Sequence, residues 1–78
     1  MKELLEYIVK GITGKDSFSI DEKEEDGKTL LTILLEESEM GLVIGKNGLV
    51  IKSIQNILQV KGRLENKLVF VNVENKSN

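Results

Sequence analysis

Residues 29–36 read Thr-Leu-Leu-Thr-Ile-Leu-Leu-Glu, and this stretch does most to limit what the chain can fold into. In an extended segment Leu31, Ile33 and Leu35 fall on one face, and Leu30, Thr32 and Leu34 on the other. A strand apolar on both sides belongs in the middle of a sheet, with a neighbour at each edge. Two further segments have strand character. Residues 17–20 place Phe18 and Ile20 on one face, and residues 67–74 cluster Leu68, Val69, Phe70, Val71 and Val73. Between the first two strands runs Asp21-Glu22-Lys23-Glu24-Glu25-Asp26-Gly27. It reads as a polar tip ending in an Asp-Gly hairpin turn, which makes those strands antiparallel.

The rest of the chain has helical spacing. Leu4, Leu5, Ile8, Val9 and Ile12 repeat every three or four residues across 2–12, and Gly11 and Gly14 mark the end of that helix. Ser38 is positioned to cap a short helix over 39–44. After Gly45-Lys46-Asn47-Gly48, a longer helix is expected over 49–60. Its apolar stripe is Val50, Ile54, Ile57 and Leu58, with Ile51 at the margin. Residues 61–66 read as a polar connection. The predicted order is α-β-β-α-α-β, an α+β domain with a three-stranded mixed sheet covered on one face by three helices. The helical pair is long enough to act as a parallel crossover. One domain over 1–74 accounts for the chain, followed by a flexible tail over 75–78.

At 78 residues a fold buries only about 60% of its chain's surface, so the 40% hydrophobic content is needed for one core. There is no Cys and no His, which removes thiol chemistry, the usual general base and the commonest metal ligands. No constellation for catalysis replaces them, and neither a metal nor a cofactor is expected. Glu3 and Glu6 interrupt the N-terminal apolar stretch, and no apolar run approaches the length of a membrane span. A cytoplasmic domain with no membrane partner is the expectation.

The segment Gly41-Leu42-Val43-Ile44-Gly45-Lys46-Asn47-Gly48-Leu49-Val50-Ile51 carries the functional information. Two glycines around two polar residues make a turn whose backbone a ligand can approach closely. The turn opens a helix, so free N–H groups and the positive end of the dipole face whatever docks there. A mononucleotide-binding loop is excluded: Gly41 and Gly45 enclose three residues rather than four, and Asn47 stands where a hydroxyl is required. The dinucleotide fingerprint fails at Val43. A bare Gly-x-x-Gly is also compatible with a plain helix–helix turn. With its flanks, however, Val43-Ile44-Gly45-x-x-Gly48-x-x-Ile51 resembles the KH domain of RNA-binding proteins. The element order is similar to the type II, prokaryotic arrangement. Length and the run Glu39-Met40-Gly41 resemble small bacterial single-KH RNA-binding proteins of the KhpA type.

The resemblance implies that single-stranded RNA is clamped over about four nucleotides by the glycine loop. Carried onto this chain, Gly45, Lys46, Asn47 and Gly48 hold the backbone. Ile44 and Ile51 line the groove or the core beneath it, Lys52 adds a cation, and residues 69–71 offer main-chain contacts to bases. A post-transcriptional or RNA-chaperone role is implied, as is a homodimer or a complex with a larger, multidomain KH protein of the Jag type. Leu42 and Leu49 are candidates for such a surface. Two departures from the family pattern stand out. Leu49 and Gln55 occupy positions that are often basic, and the family places a loop like the acidic 21–26 segment beside the groove. The first reading of that segment is a solvated tip, and its alternatives are repulsion of RNA or a basic partner.

Charge placement bears on the same question. The net charge of −2 resolves into +4 over residues 40–64, from Lys46, Lys52, Lys61 and Arg63 without an acid, and −6 over the rest. With two or three phosphates neutralised, binding should be micromolar or weaker and salt-sensitive. Tyr7, Phe18 and Phe70 are the only aromatics, too few for a stacking platform. Lys23 breaks the oxygen-ligand alternation a calcium loop needs. The competing reading is a KH-fold protein-interaction scaffold with little RNA affinity.

Overall fold

The computed structural model describes residues 1–76. Six elements follow in the predicted order: α1 (Lys2–Thr13), β1 (Ser19–Glu25), β2 (Lys28–Leu35), α2 (Glu37–Ile44), α3 (Leu49–Leu64) and β3 (Leu68–Asn75). The sheet order is β1-β2-β3, with β1 antiparallel and β3 parallel to the central β2. Leu31, Ile33 and Leu35 of β2 are fully buried and meet Leu5 and Val9 of α1, Val43 of α2, Ile54 and Leu58 of α3, and Val69 of β3. The opposite face of β2, carrying Leu30, is open, so the helices cover one side of the sheet.

Five local expectations change. The acidic segment is strand rather than tip: β1 runs from Ser19 to Glu25, pairing Asp21 with Thr32 and Glu25 with Lys28. Asp26 (φ 50°) and Gly27 (φ 79°) alone make the turn. Positive φ at both residues is the two-residue hairpin geometry that fixes register, so every acid from 21 to 25 finds a strand partner. Charged side chains on an edge strand also discourage further pairing. Glu36, not Ser38, precedes α2 as its N-cap, and it makes no side-chain cap bond. Instead Glu39 is buried in the first turn, where its carboxylate accepts from the Ser17 hydroxyl at 3.0 Å. That bond ties the segment before β1 to α2.

α3 extends four residues further than its periodicity predicts, through Leu64. Gly62 is buried against β3, and a β-carbon there would lie 2.8 Å from the Lys67 carbonyl oxygen. The glycine thus permits close packing rather than ending the helix. Asn66 takes the left-handed conformation (φ 58°) that reverses the chain into β3. Along α3 the buried residues are Ile54, Leu58 and Gly62, while Ile57, expected in the stripe, is half exposed. At the other end β3 includes Asn75, and the Lys76 N–H donates to Leu35 O at 2.7 Å. The remainder of the expected tail, 77 and 78, lies outside the described residues.

Candidate nucleic-acid interface

α2 ends where Gly45 turns away at φ 77°, ψ 174°, its N–H donating to Gly41 O at 2.9 Å. Lys46 to Gly48 then form a single 3-10 turn, with Asn47 (φ 57°, ψ 26°) and Gly48 (φ 73°, ψ 17°) both left-handed. Asparagine tolerates that region better than most residues, which accounts for its place here. Gly45 is required on two grounds: its conformation is closed to L side chains, and a β-carbon would overlap Val50, 2.9 Å from the Val50 nitrogen. The loop is therefore a fixed backbone shape seated on the first turn of α3.

What this shape offers is unpaired N–H. The Gly48 N–H donates to Gly45 O at 3.2 Å, whereas the Lys46 and Asn47 N–H groups have no partner among the described residues. Among the described residues no side chain caps α3 and its first turn holds no acid, so the positive end of the helix dipole is left open. The Lys46 and Asn47 side chains are exposed at the loop tip. Lys52 is exposed one turn further on. Among the described residues Lys46, Lys52 and Arg63 form no ion pair, whereas Lys61 pairs with Glu65 at 3.5 Å. Free N–H groups at a helix start, with the Lys46 and Lys52 cations nearby, are chemically suited to an anion of phosphodiester type.

The other predicted residues divide. Ile51 is half-buried and packs on the core cluster. Ile44 is half-buried beside Gly45 without joining that cluster. Val69 and Val71 do not both offer free main chain. Gln55 of α3 donates from Nε2 to Val69 O and accepts the Val71 N–H on Oε1, each at 2.6 Å. Lys52, Gln55, Gln59 and Arg63 follow one another at helical spacing along α3. The last two share a cleft with Val69 and Phe70. The role of Gln55 escaped the sequence because it depends on which residues of α3 face β3. The three-and-four spacing from Lys52 was the available signal.

The acidic residues are arranged differently from the expectation. Asp21, Glu22, Glu24 and Glu25 lie on β1, across the sheet from the outer edge of β3. They approach β3 at its start: Asp26 and Gly27 border Arg63, Lys67 and Leu68 at the far end of α3 from the glycine loop. Glu24 accepts from Lys67 Nζ at 2.6 Å and from the Thr29 hydroxyl at 3.4 Å, joining the hairpin to the start of β3. The Lys67 hydrogen bond and charge hold the Glu24 carboxyl below its ordinary range, and the same contact raises Lys67.

The family model described as KhpA/KhpB, KH domain, matches residues 2–73. A protein of Thermotoga maritima named RNA-binding protein KhpA is 42% identical over 59 residues, 74% of this chain and 79% of the relative. Proteins of the same name from Clostridium perfringens and Clostridium acetobutylicum are each 32% identical over 74 residues, 94% of this chain and 99% of theirs. The glycine loop, the element order and a match spanning 2–73 agree: the chain belongs to the KhpA/KhpB KH-domain family.

Proposed function

We propose that this protein binds single-stranded RNA without catalysing a reaction, gripping about four nucleotides at Gly45, Lys46, Asn47 and Gly48. One observation carries the reading: a rigid glycine turn presents unpaired N–H groups at an uncapped, acid-free helix start. Phosphate oxygens would accept from the Lys46 and Asn47 N–H groups, with the Lys46 and Lys52 ammonium groups alongside. Ile44 and Ile51 would support the bases above them. Relatives that are named RNA-binding proteins support RNA as the ligand. A post-transcriptional or RNA-chaperone role in the cytoplasm follows from it.

The test is an RNA titration of wild type against Lys46→Asp/Asn47→Asp, with folding checked by circular dichroism. Two negative charges replace the phosphate contacts while both glycines remain. Binding by wild type and at least a tenfold loss in the variant is the expected outcome. Equal binding, or none by either protein, refutes the clamp.

A second reading has its own observation. Leu49, Ile57, Val60 and Leu64 form an exposed apolar stripe along α3, with Leu49 61% and Leu64 81% accessible. Leu42 is exposed as well. Such a stripe suits a protein partner, either a second copy or a larger Jag-type KH protein, and a scaffold role would use it without RNA. Sedimentation that shows only monomer at high concentration removes the homodimer.

A further inference from the structure

β3 is an edge strand, and its outward main chain is a row of donors and acceptors. Leu68 N–H donates to Gly27 O and Lys76 N–H to Leu35 O, so the even-numbered residues of β3 turn their main chain toward β2. By alternation Val69, Val71 and Val73 turn theirs outward. Gln55 reaches this edge from α3 and bonds Val69 O and Val71 N–H together, both at 2.6 Å. Bridging Phe70 in this way, the amide stands where a residue of a parallel neighbouring strand would. A nucleobase edge, with an N–H donor beside an acceptor, would make the same pair of bonds.

We propose that Gln55 determines which part of the β3 edge is open to a nucleobase, an inference that rests on the RNA-binding reading above. A base can reach Val69 O and Val71 N–H only by expelling Gln55, and that exchanges two hydrogen bonds for two with little net gain. One ladder step further, Val71 O and Val73 N–H point the same way, and among the described residues neither has a hydrogen-bond partner. The step leads toward the glycine loop. Gly62 lies against Lys67 and Val69, and Gln55 against Val69 and Val71, so α3 and β3 run in opposite directions. At about 3.3 Å per strand residue and 1.5 Å per helix residue, the open pair lies roughly level with Ile51. Gln55 thus closes the half of the edge nearer Arg63 and leaves the half nearer Lys46 and Lys52.

The experiment is an amide NMR titration of the full chain with randomised hexaribonucleotides, on wild type and on Gln55→Ala. In wild type the Val73 N–H is expected to shift together with the amides of Gly45 to Gly48, while the Val71 N–H and the Gln55 side-chain amide stay in place. In Gln55→Ala the Val71 N–H should join the responding set, and RNA affinity should rise about three- to tenfold as a second pair becomes available. Displacement of the Gln55 amide in wild type overturns the proposal, as does unchanged or weaker binding by the folded variant. If the variant does not fold, the wild-type titration decides alone. Silence at Gly45 to Gly48 would bring down the RNA reading and this proposal with it. A responding loop with the wrong pattern at Gln55 and Val71 brings down this proposal only.

Discussion

Gly45 and Gly48 share a positive φ, and their surroundings set them apart. At Gly48 the nearest atom to an added β-carbon is Ile51 Cγ2 at 3.9 Å, so Gly48→Ala meets only the left-handed backbone penalty, about 1–2 kcal/mol. Gly45→Ala adds overlap with Val50 to a conformation reserved for glycine, and about 3–5 kcal/mol is expected. Urea denaturation of the two variants checks the ranking, and equal losses would contradict it. Lys67 and Glu24 give a second residue-scale prediction. A carboxyl held below 4.5 stabilises the fold fully above that pH and loses its contribution as pH falls through the depressed value. The ammonium, raised above 10.5, contributes fully below that pH and loses its share as pH climbs through the elevated value. In Lys67→Met the Glu24 carboxyl should titrate in its ordinary range, as carboxyl-carbon NMR would report. The motif residues were legible one by one because glycine and asparagine announce their backbone demands. Gln55 announces its helix face by its spacing from Lys52 but not its bonds, since its partners are main-chain atoms 14 and 16 residues away.

The elements were legible in kind and order, and their ends were not. Leu31, Ile33 and Leu35 marked β2 as central because a two-faced apolar strand has few other places to go. The acidic run hid the extension of β1 beyond residue 20, since local composition argues for a loop, whereas a two-residue turn after it imposes pairing on every residue back to Ser19. The polar run 61–66 concealed the last turn of α3, because charged residues around Gly62 read as a connection. The packing role of Gly62 gives an element-scale prediction. Alanine gains about 1 kcal/mol of helix propensity over glycine. Overpacking against Val69 and the immobile Lys67 carbonyl costs about 1–3 kcal/mol, so Gly62→Ala should destabilise on balance. It should also push α3 from β3 and weaken the Gln55 bonds, which faster amide exchange at Val71 would reveal. A stabilised variant with unchanged exchange would show that the close approach is not required.

Across the whole molecule, the net charge of −2 separates by position rather than averaging out. The acids of β1 occupy one edge of the sheet, and the unpaired cations Lys46, Lys52 and Arg63 lie on or beside α3. With two or three phosphates met by those cations, the logarithm of the RNA association constant should fall against the logarithm of salt with a slope between about −1.4 and −2.1. A slope near zero in filter-binding or fluorescence titrations would contradict a phosphate clamp. The sequence by itself determined the element order, the central strand, the glycine turn and the segregation of charge. Each is written in spacing, in backbone-restricted residues or in local composition. Tertiary structure alone decided where the acids stand relative to the groove, how far α3 runs, and which main-chain groups of β3 are already taken. Those depend on contacts between distant segments: a buried Gly62 that admits β3, a hairpin register set by Asp26 and Gly27, and one glutamine amide bonded across to a strand edge.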